Sequence, residues 1–185
     1  MWAVVGLGNP GRRYEGTRHN AGFLLVKRAA EAWDVRLKKN RFLAKAGEGR
    51  LGGERVLLAL PQTYMNESGQ SVKAIVAGLP LDPERLIVAY DDVDLPLGGL
   101  RVRREGSAGT HKGMASIVAA LGTTGFPRLR LGIGPAPAEA DIADFVLTPF
   151  RKAERKALDE ALDRAVEALD LIVAGRIDKA MNDYN

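Results

Sequence analysis

The chain of 185 residues contains no cysteine. Disulfides, thiolate metal sites and a cysteine nucleophile are therefore excluded. Histidine is nearly as scarce, with only His19 and His111 present, so a three-histidine zinc site cannot be assembled. No serine sits in a G-x-S-x-G elbow, since neither "GQSVK" nor "GSAGT" fits one. No stretch approaches the ~18 consecutive apolar residues of a membrane span. Met1 to Gly6 lacks the charged-then-apolar pattern of a secretory leader and reads as a first strand, so a cytoplasmic protein is expected. Acidic charge falls short of basic, 23 residues against 27, but a net +4 is too mild by itself to imply nucleic acid.

Glycine, by contrast, is abundant near the start, where Gly6-Leu7-Gly8-Asn9-Pro10-Gly11 has the form G-x-G-x-x-G. A dinucleotide fingerprint needs the third glycine to open a helix whose N-terminus faces a pyrophosphate. Here a polar run, Arg12 to Asn20, follows instead, and apolar spacing resumes only at Ala21, Phe23 and Leu24. No strand ending in an acidic residue lies at the required distance. The glycines are read as shaping a loop rather than a dinucleotide site.

Basic residues are concentrated rather than dispersed. The window Gly99 to Ile133 holds Arg101, Arg103, Arg104, Lys112, Arg128 and Arg130 against one acid, Glu105. By period-two alternation Arg101 and Arg103 share one strand face, as do Arg128 and Arg130. The pattern suits a phosphate-binding surface and equally a sheet edge protected by charge.

Short Val-, Ile- and Leu-rich runs bounded by Gly and Pro predict strands near Trp2 to Gly6, Phe42 to Ala46, Val56 to Leu60, Leu86 to Tyr90, Leu100 to Arg104 and Leu129 to Ile133. Helical spacing predicts helices over Ala21 to Trp33, about Gly69 to Leu79, about Gly113 to Leu121, and a long one from about Arg151. This alternation implies one domain over residues 1–185, an α/β fold of three α/β/α layers around a mixed, largely parallel twisted sheet. There is no internal repeat or low-complexity tract.

In such a sheet functional groups gather at the carboxyl ends of strands, and four polar clusters follow strand-like runs: Asn9, then Tyr64-Met65-Asn66, then Asp91-Asp92, then His111-Lys112. Taken singly each has a plain structural role. Asn9 before Pro10 can start a turn, Asn66 can cap the next helix, and the aspartates with Pro96 and Gly98 can be turn chemistry. Taken together, a histidine on the first loop and an acid at a central strand form a water-activating dyad. The acid orients the imidazole while the other ring nitrogen takes a proton from water. The amides of Asn9 and Asn66 add neutral donors for a developing oxyanion.

The blocks "VVGLGNPGRRYEGTRHNAGF", "PQTYMNESGQSV", "YDDVDLPLGGLRVRREGSAGTHKGM" and "FPRLRLGIG" resemble, in order, the motifs of the bacterial peptidyl-tRNA hydrolase family. The resemblance implies a monomeric esterase without metal or other cofactor, which cuts the ester joining a peptide to the terminal ribose of tRNA released from stalled ribosomes. It implies His19 as general base, Asp91 as its partner, and Asn9 and Asn66 as substrate and oxyanion contacts. Tyr14, Met65 and His111 would line the groove for the peptide and the acceptor stem and 3′ end. Arg103 and Arg130 match basic positions that hold the tRNA 5′-phosphate. One departure stands out: this chain has Lys112 where the family usually has asparagine after the histidine, so Lys112 would face the substrate with donors only. Two other readings stay open, an RNA-binding relative without turnover and an esterase for small esters.

Overall fold

The computed structural model describes residues 1–185. Seven strands form one sheet in the order β2-β3-β4-β1-β5-β7-β6. The strands are β1 (Trp2–Gly6), β2 (Lys39–Arg41), β3 (Ala44–Leu51), β4 (Glu54–Pro61), β5 (Leu86–Pro96), β6 (Leu100–Arg103) and β7 (Arg128–Gly134). The helices are α1 (Ala21–Ala32), α2 (Ser68–Gly78), α3 (Lys112–Leu121), α4 (Ile142–Val146), α5 (Arg155–Val173) and α6 (Ile177–Tyr184). The central strands β4, β1, β5 and β7 run parallel. Antiparallel pairings close both flanks, β2 with β3 and β3 with β4 on one side and β6 with β7 on the other.

Alternation along the buried strands divides the apolar residues into two cores. Val4, Leu58, Ile87 and Leu129 pack with α1, α5 and α6 on one face. Ala3, Val5, Leu57 and Val88 pack with α2 and α3 on the other. This is the expected three-layer α/β/α fold, with a parallel centre buried on both sides.

One close approach positions the functional loops. A Cβ on Gly22 would lie 2.3 Å from the Ala89 carbonyl oxygen, and one on Gly6 would lie 2.2 Å from the Gly22 oxygen. Only glycine lets the first turn of α1 lie directly on the carboxyl ends of β1 and β5. The turn before it, Arg18–Asn20, is thereby set beside β5. Only a single 3-10 turn, Arg12–Tyr14, follows Gly11, and no α-helix opens before Ala21, in keeping with a loop rather than a pyrophosphate cradle.

Several elements differ from the sequence reading. Phe42 and Leu43, expected in a strand, instead make the two-residue turn between β2 and β3 with φ of 58° and 54°. Tertiary contacts hold them there: the Phe42 carbonyl accepts from Ser71 Oγ at 2.8 Å, and the Leu43 carbonyl accepts from the Gln62 N–H at 2.7 Å. Strand β5 does not end at Tyr90 but continues through Asp91 and Asp92 to Pro96, so these acids lie within the strand. The extension is possible because Gly132 and Gly134 leave room on β7, where a Cβ would sit 2.0 Å from a β5 carbonyl oxygen in each case. Strand β2 and helices α4 and α6 are additional to the expected elements, and α5 starts at Arg155 after a 3-10 turn at Lys152–Glu154.

Candidate active site

The side chain of His19 meets the Asp91 carboxylate through Nδ1, at 3.0 Å from Oδ1 and 2.9 Å from Oδ2. His111 approaches the same carboxylate from α3, with Nε2 3.0 Å from Oδ1. Burial would raise the Asp91 carboxyl, but the charge and hydrogen bond of His111, followed by those of His19, outweigh it and hold the group at about 2. The acid is ionised at neutral pH and accepts from both rings.

The tautomers follow from the remaining contacts. His111 caps α3, and its Nδ1 accepts the Met114 N–H at 3.3 Å. That nitrogen carries no proton, so Nε2–H donates to Asp91. The Asp91 carboxylate likewise selects the Nδ1–H form of His19, leaving Nε2 as a lone pair with no partner inside the chain. A base is thus presented to the cleft. The three side chains lie close enough to share a metal ion, with ligand atoms within 4.8 Å of one another. The chemistry around His111 opposes it, because metal on Nε2 would place a proton on Nδ1 against the Met114 N–H.

Asn9 is 8% exposed, and each of its polar atoms but one is tied down. Its Oδ1 accepts the Met65 N–H at 2.8 Å. Its backbone N–H donates to Asn20 Oδ1 at 2.9 Å, and its carbonyl accepts from Asn20 Nδ2 at 3.0 Å. The amide orientation is therefore fixed, and Nδ2 is left as a donor without a partner on a residue that lines the cleft. Asn20, to which the sequence reading assigned no role, is the residue that clamps this loop. Its place in the motif was visible, but its partner was not. Asn66 is exposed at the same cleft. It does not cap α2, whose N-cap position is Glu67.

These groups line a cleft of about 790 Å³ with a lining of mixed chemistry. Ile142, 54% exposed, and Leu147, 44%, give it an apolar wall at α4, and Tyr64, 53% exposed, adds apolar surface beside Met65. Arg103, Arg128, Arg130 and Lys112 line it as well. Register explains the crowding, since Arg101 lies opposite Arg130 and Arg103 opposite Arg128 across β6 and β7.

The arginines do not share one role. Arg128 is 2% exposed and donates to the carbonyls of Ser107 and Thr124 at 3.1 and 2.8 Å. Its guanidinium also lies over the Phe126 ring, 4.5 Å from the centroid. Desolvation lowers its pKa. It organises the loop that leads to His111. Arg130 is paired with Asp92 at 2.5 Å and Arg104 with Asp178 at 2.5 Å. Arg103 and Lys112 meet no carboxylate and remain as unneutralised cations of the cleft.

The sequence-derived set is largely assembled here. His19, Asp91, Asn9, Met65, Asn66, His111, Lys112, Arg103 and Arg130 all line the one cleft. Tyr14 does not. Its hydroxyl is engaged by Arg13 at 2.5 Å, with the Arg13 guanidinium over its ring, and it lies outside the cleft lining. The Nδ1 and Nε2 atoms of His111 are both engaged within the chain, so its ring alone borders the groove.

The chain matches the family model described as Peptidyl-tRNA hydrolase over residues 3–185. A peptidyl-tRNA hydrolase of Chloroflexus aurantiacus is 52% identical over 186 residues, covering 100% of this chain and 99% of that protein. One of Alkaliphilus metalliredigens is 48% identical over the full length of both. The solved structure of peptidyl-tRNA hydrolase from Acinetobacter baumannii superposes with a TM-score of 0.94 at 38% identity, covering 100% of this chain and 94% of that one. Sequence and fold agree, and the chain belongs to the peptidyl-tRNA hydrolase family.

Proposed function

We propose that the protein hydrolyses the ester between a peptide and the terminal ribose of tRNA, using water activated by His19. The observation that carries this reading is the free Nε2 of His19, fixed in its basic tautomer by Asp91, in a cleft that also holds Asn9, whose Nδ2 alone has no partner. Nε2 takes a proton as water attacks the ester carbonyl. Asn9 Nδ2 donates to the oxyanion that forms, a contribution of ~3 kcal/mol at the transition state, and Asn66, in the same cleft, supplies a second donor. Collapse of the tetrahedral intermediate breaks the bond to the ribose oxygen, which recovers the proton from His19. The apolar wall at Ile142 and Leu147 accepts peptide side chains, and Arg103 and Lys112 meet the tRNA backbone. Release of labelled peptide from peptidyl-tRNA by the purified protein tests the reading directly. Absence of release with intact RNA binding would favour a binding protein instead.

Charge separates a tRNA substrate from a small ester. Arg103→Ala raises KM for peptidyl-tRNA and flattens its salt dependence by about one phosphate contact. Arg130→Ala does so less, because Asp92 already neutralises that guanidinium. Small esters are unaffected by either change. Equal weakening of both substrate types would make these arginines structural.

Lys112 stands in the first turn of α3, where the helix dipole disfavours a cation by ~0.3–1 kcal/mol. A cation kept there, exposed and unpaired at the cleft, serves phosphate or terminal ribose. Lys112→Asn keeps kcat within a few-fold and lowers the salt slope of kcat/KM by about one phosphate. An unchanged slope across a salt series would remove this contact.

A further inference from the structure

Strand β6 is the last of the sheet, so one of its sides has no neighbouring strand. Such an edge normally exposes N–H and C=O groups to solvent. At Val102, the residue between Arg101 and Arg103, both are taken. Its N–H donates to Asn185 Oδ1 at 2.6 Å, and its carbonyl accepts from Asn185 Nδ2 at 3.3 Å. A carboxamide carries the same donor and acceptor as a peptide unit, so one side chain acts as a short surrogate strand. Aspartate would lack the donor and alanine would lack both.

The anchor is itself held. Asn185 follows α6, whose Tyr184 hydroxyl donates to Glu167 on α5 at 2.8 Å. Ile177 and Ala180 of the same helix are buried. Asp178 grips Arg104, the residue just beyond β6. Helix α6 therefore straps β6 at two points, and Arg103 lies between them. The Val102 carbonyl that accepts from Asn185 also accepts from Arg103 Nη1 at 3.1 Å. One carbonyl thus joins the strap to the guanidinium that lines the cleft.

We infer that Asn185 is a positioning residue for RNA binding, holding the edge strand so that Arg103 meets a phosphate of the substrate. The inference rests on the phosphate role proposed for Arg103. It concerns affinity rather than chemistry, because Asn185 touches neither His19 nor Asp91.

The test uses the full chain with Asn185→Ala, Asn185→Gln and Arg103→Ala, reading KM and kcat for peptidyl-tRNA together with hydrogen exchange at the Val102 amide. Asn185→Ala is expected to raise KM about three- to tenfold, the range of one or two net hydrogen bonds, with kcat unchanged. The Val102 amide should lose at least about tenfold protection, because its only acceptor is gone. Asn185→Gln, which keeps the carboxamide, should recover most of both. Loss of Val102 protection with unchanged KM would overturn the inference and leave Asn185 as an edge cap alone. If Arg103→Ala left KM and its salt slope untouched, the phosphate reading would fall first. If Arg103→Ala raised KM and Asn185→Ala did not, only the positioning role would fall.

Discussion

Replacement of His19 by alanine is expected to lower kcat toward peptidyl-tRNA by at least ~10²-fold, with fold and tRNA affinity close to those of the parent protein. The chemical loss is large because no other imidazole presents a free ring nitrogen to the cleft. His111 cannot substitute, since its Nδ1 accepts from Met114 and its Nε2 donates to Asp91. The structural loss is small for a related reason: His111 still donates to Asp91, so the buried carboxylate is not left without a partner. Asp91→Asn acts on the same step by a different route. An amide nitrogen facing His19 Nδ1 selects the opposite tautomer and places a proton on Nε2, where the base is needed. The double variant should therefore cost much less than the product of the two single losses. Single-turnover peptide release by the four proteins decides the matter. Near-normal turnover by His19→Ala would remove the mechanism, and full multiplicativity would make the two residues independent. Because Asp91 is held at about 2, an acid limb of the rate profile in the mildly acidic range does not arise from its protonation.

The residues proposed to perform chemistry were more legible than those that hold them in place. Asn9, His19, Asn66 and Asp91 stand in dense polar motifs between apolar runs, and the Val-, Ile- and Leu-rich runs themselves located the central strands. The continuation of β5 was hidden, because Asp91-Asp92-Val93-Asp94 has the composition of a turn. It becomes strand only through pairing with Gly132 and Gly134 on β7, which no local window includes. Arg18 and Arg128 likewise look like surface charges in sequence, yet both are almost fully buried. Arg128 is satisfied by backbone carbonyls and Arg18 by Glu154, 136 positions away. Helix α6 is a different case. Its apolar spacing at Ile177, Ala180, Met181 and Tyr184 has helical period and is readable, but its placement against β6 depends on side chains meeting across the fold.

Arg18 leads to the second large effect, one on stability. Its guanidinium is buried between Phe145 and Phe150, 4.6 and 5.1 Å from their ring centroids, and Nη2 donates to both Glu154 oxygens at 3.2 and 2.9 Å. Nε reaches Thr148 Oγ1 at 3.2 Å, and the Arg18 N–H donates to the Thr148 carbonyl at 3.0 Å. This network fastens the His19 loop to the segment between α4 and α5. Glu154→Gln removes one charge and leaves the other buried, so a loss of about 3–5 kcal/mol is expected. Arg18→Met combined with Glu154→Gln should recover part of that loss, because no lone charge then remains. Burial would raise the Glu154 carboxyl, but hydrogen bonds from Arg18 and Arg151 outweigh it and lower the group from its ordinary 4.5 to about 2. A depressed carboxyl stabilises the folded state fully above its unfolded value and loses that contribution as pH falls through the folded one. The parent should accordingly weaken between about pH 4.5 and pH 2, and Glu154→Gln should show a shallower decline over that window. The remaining decline belongs in part to Asp91, which is lowered from 3.8 to about 2 and is untouched by this change. Urea unfolding from pH 2 to 7 compares the two: curves that stay parallel down to the acid end would show that the Arg18–Glu154 pair contributes no pH-dependent stability.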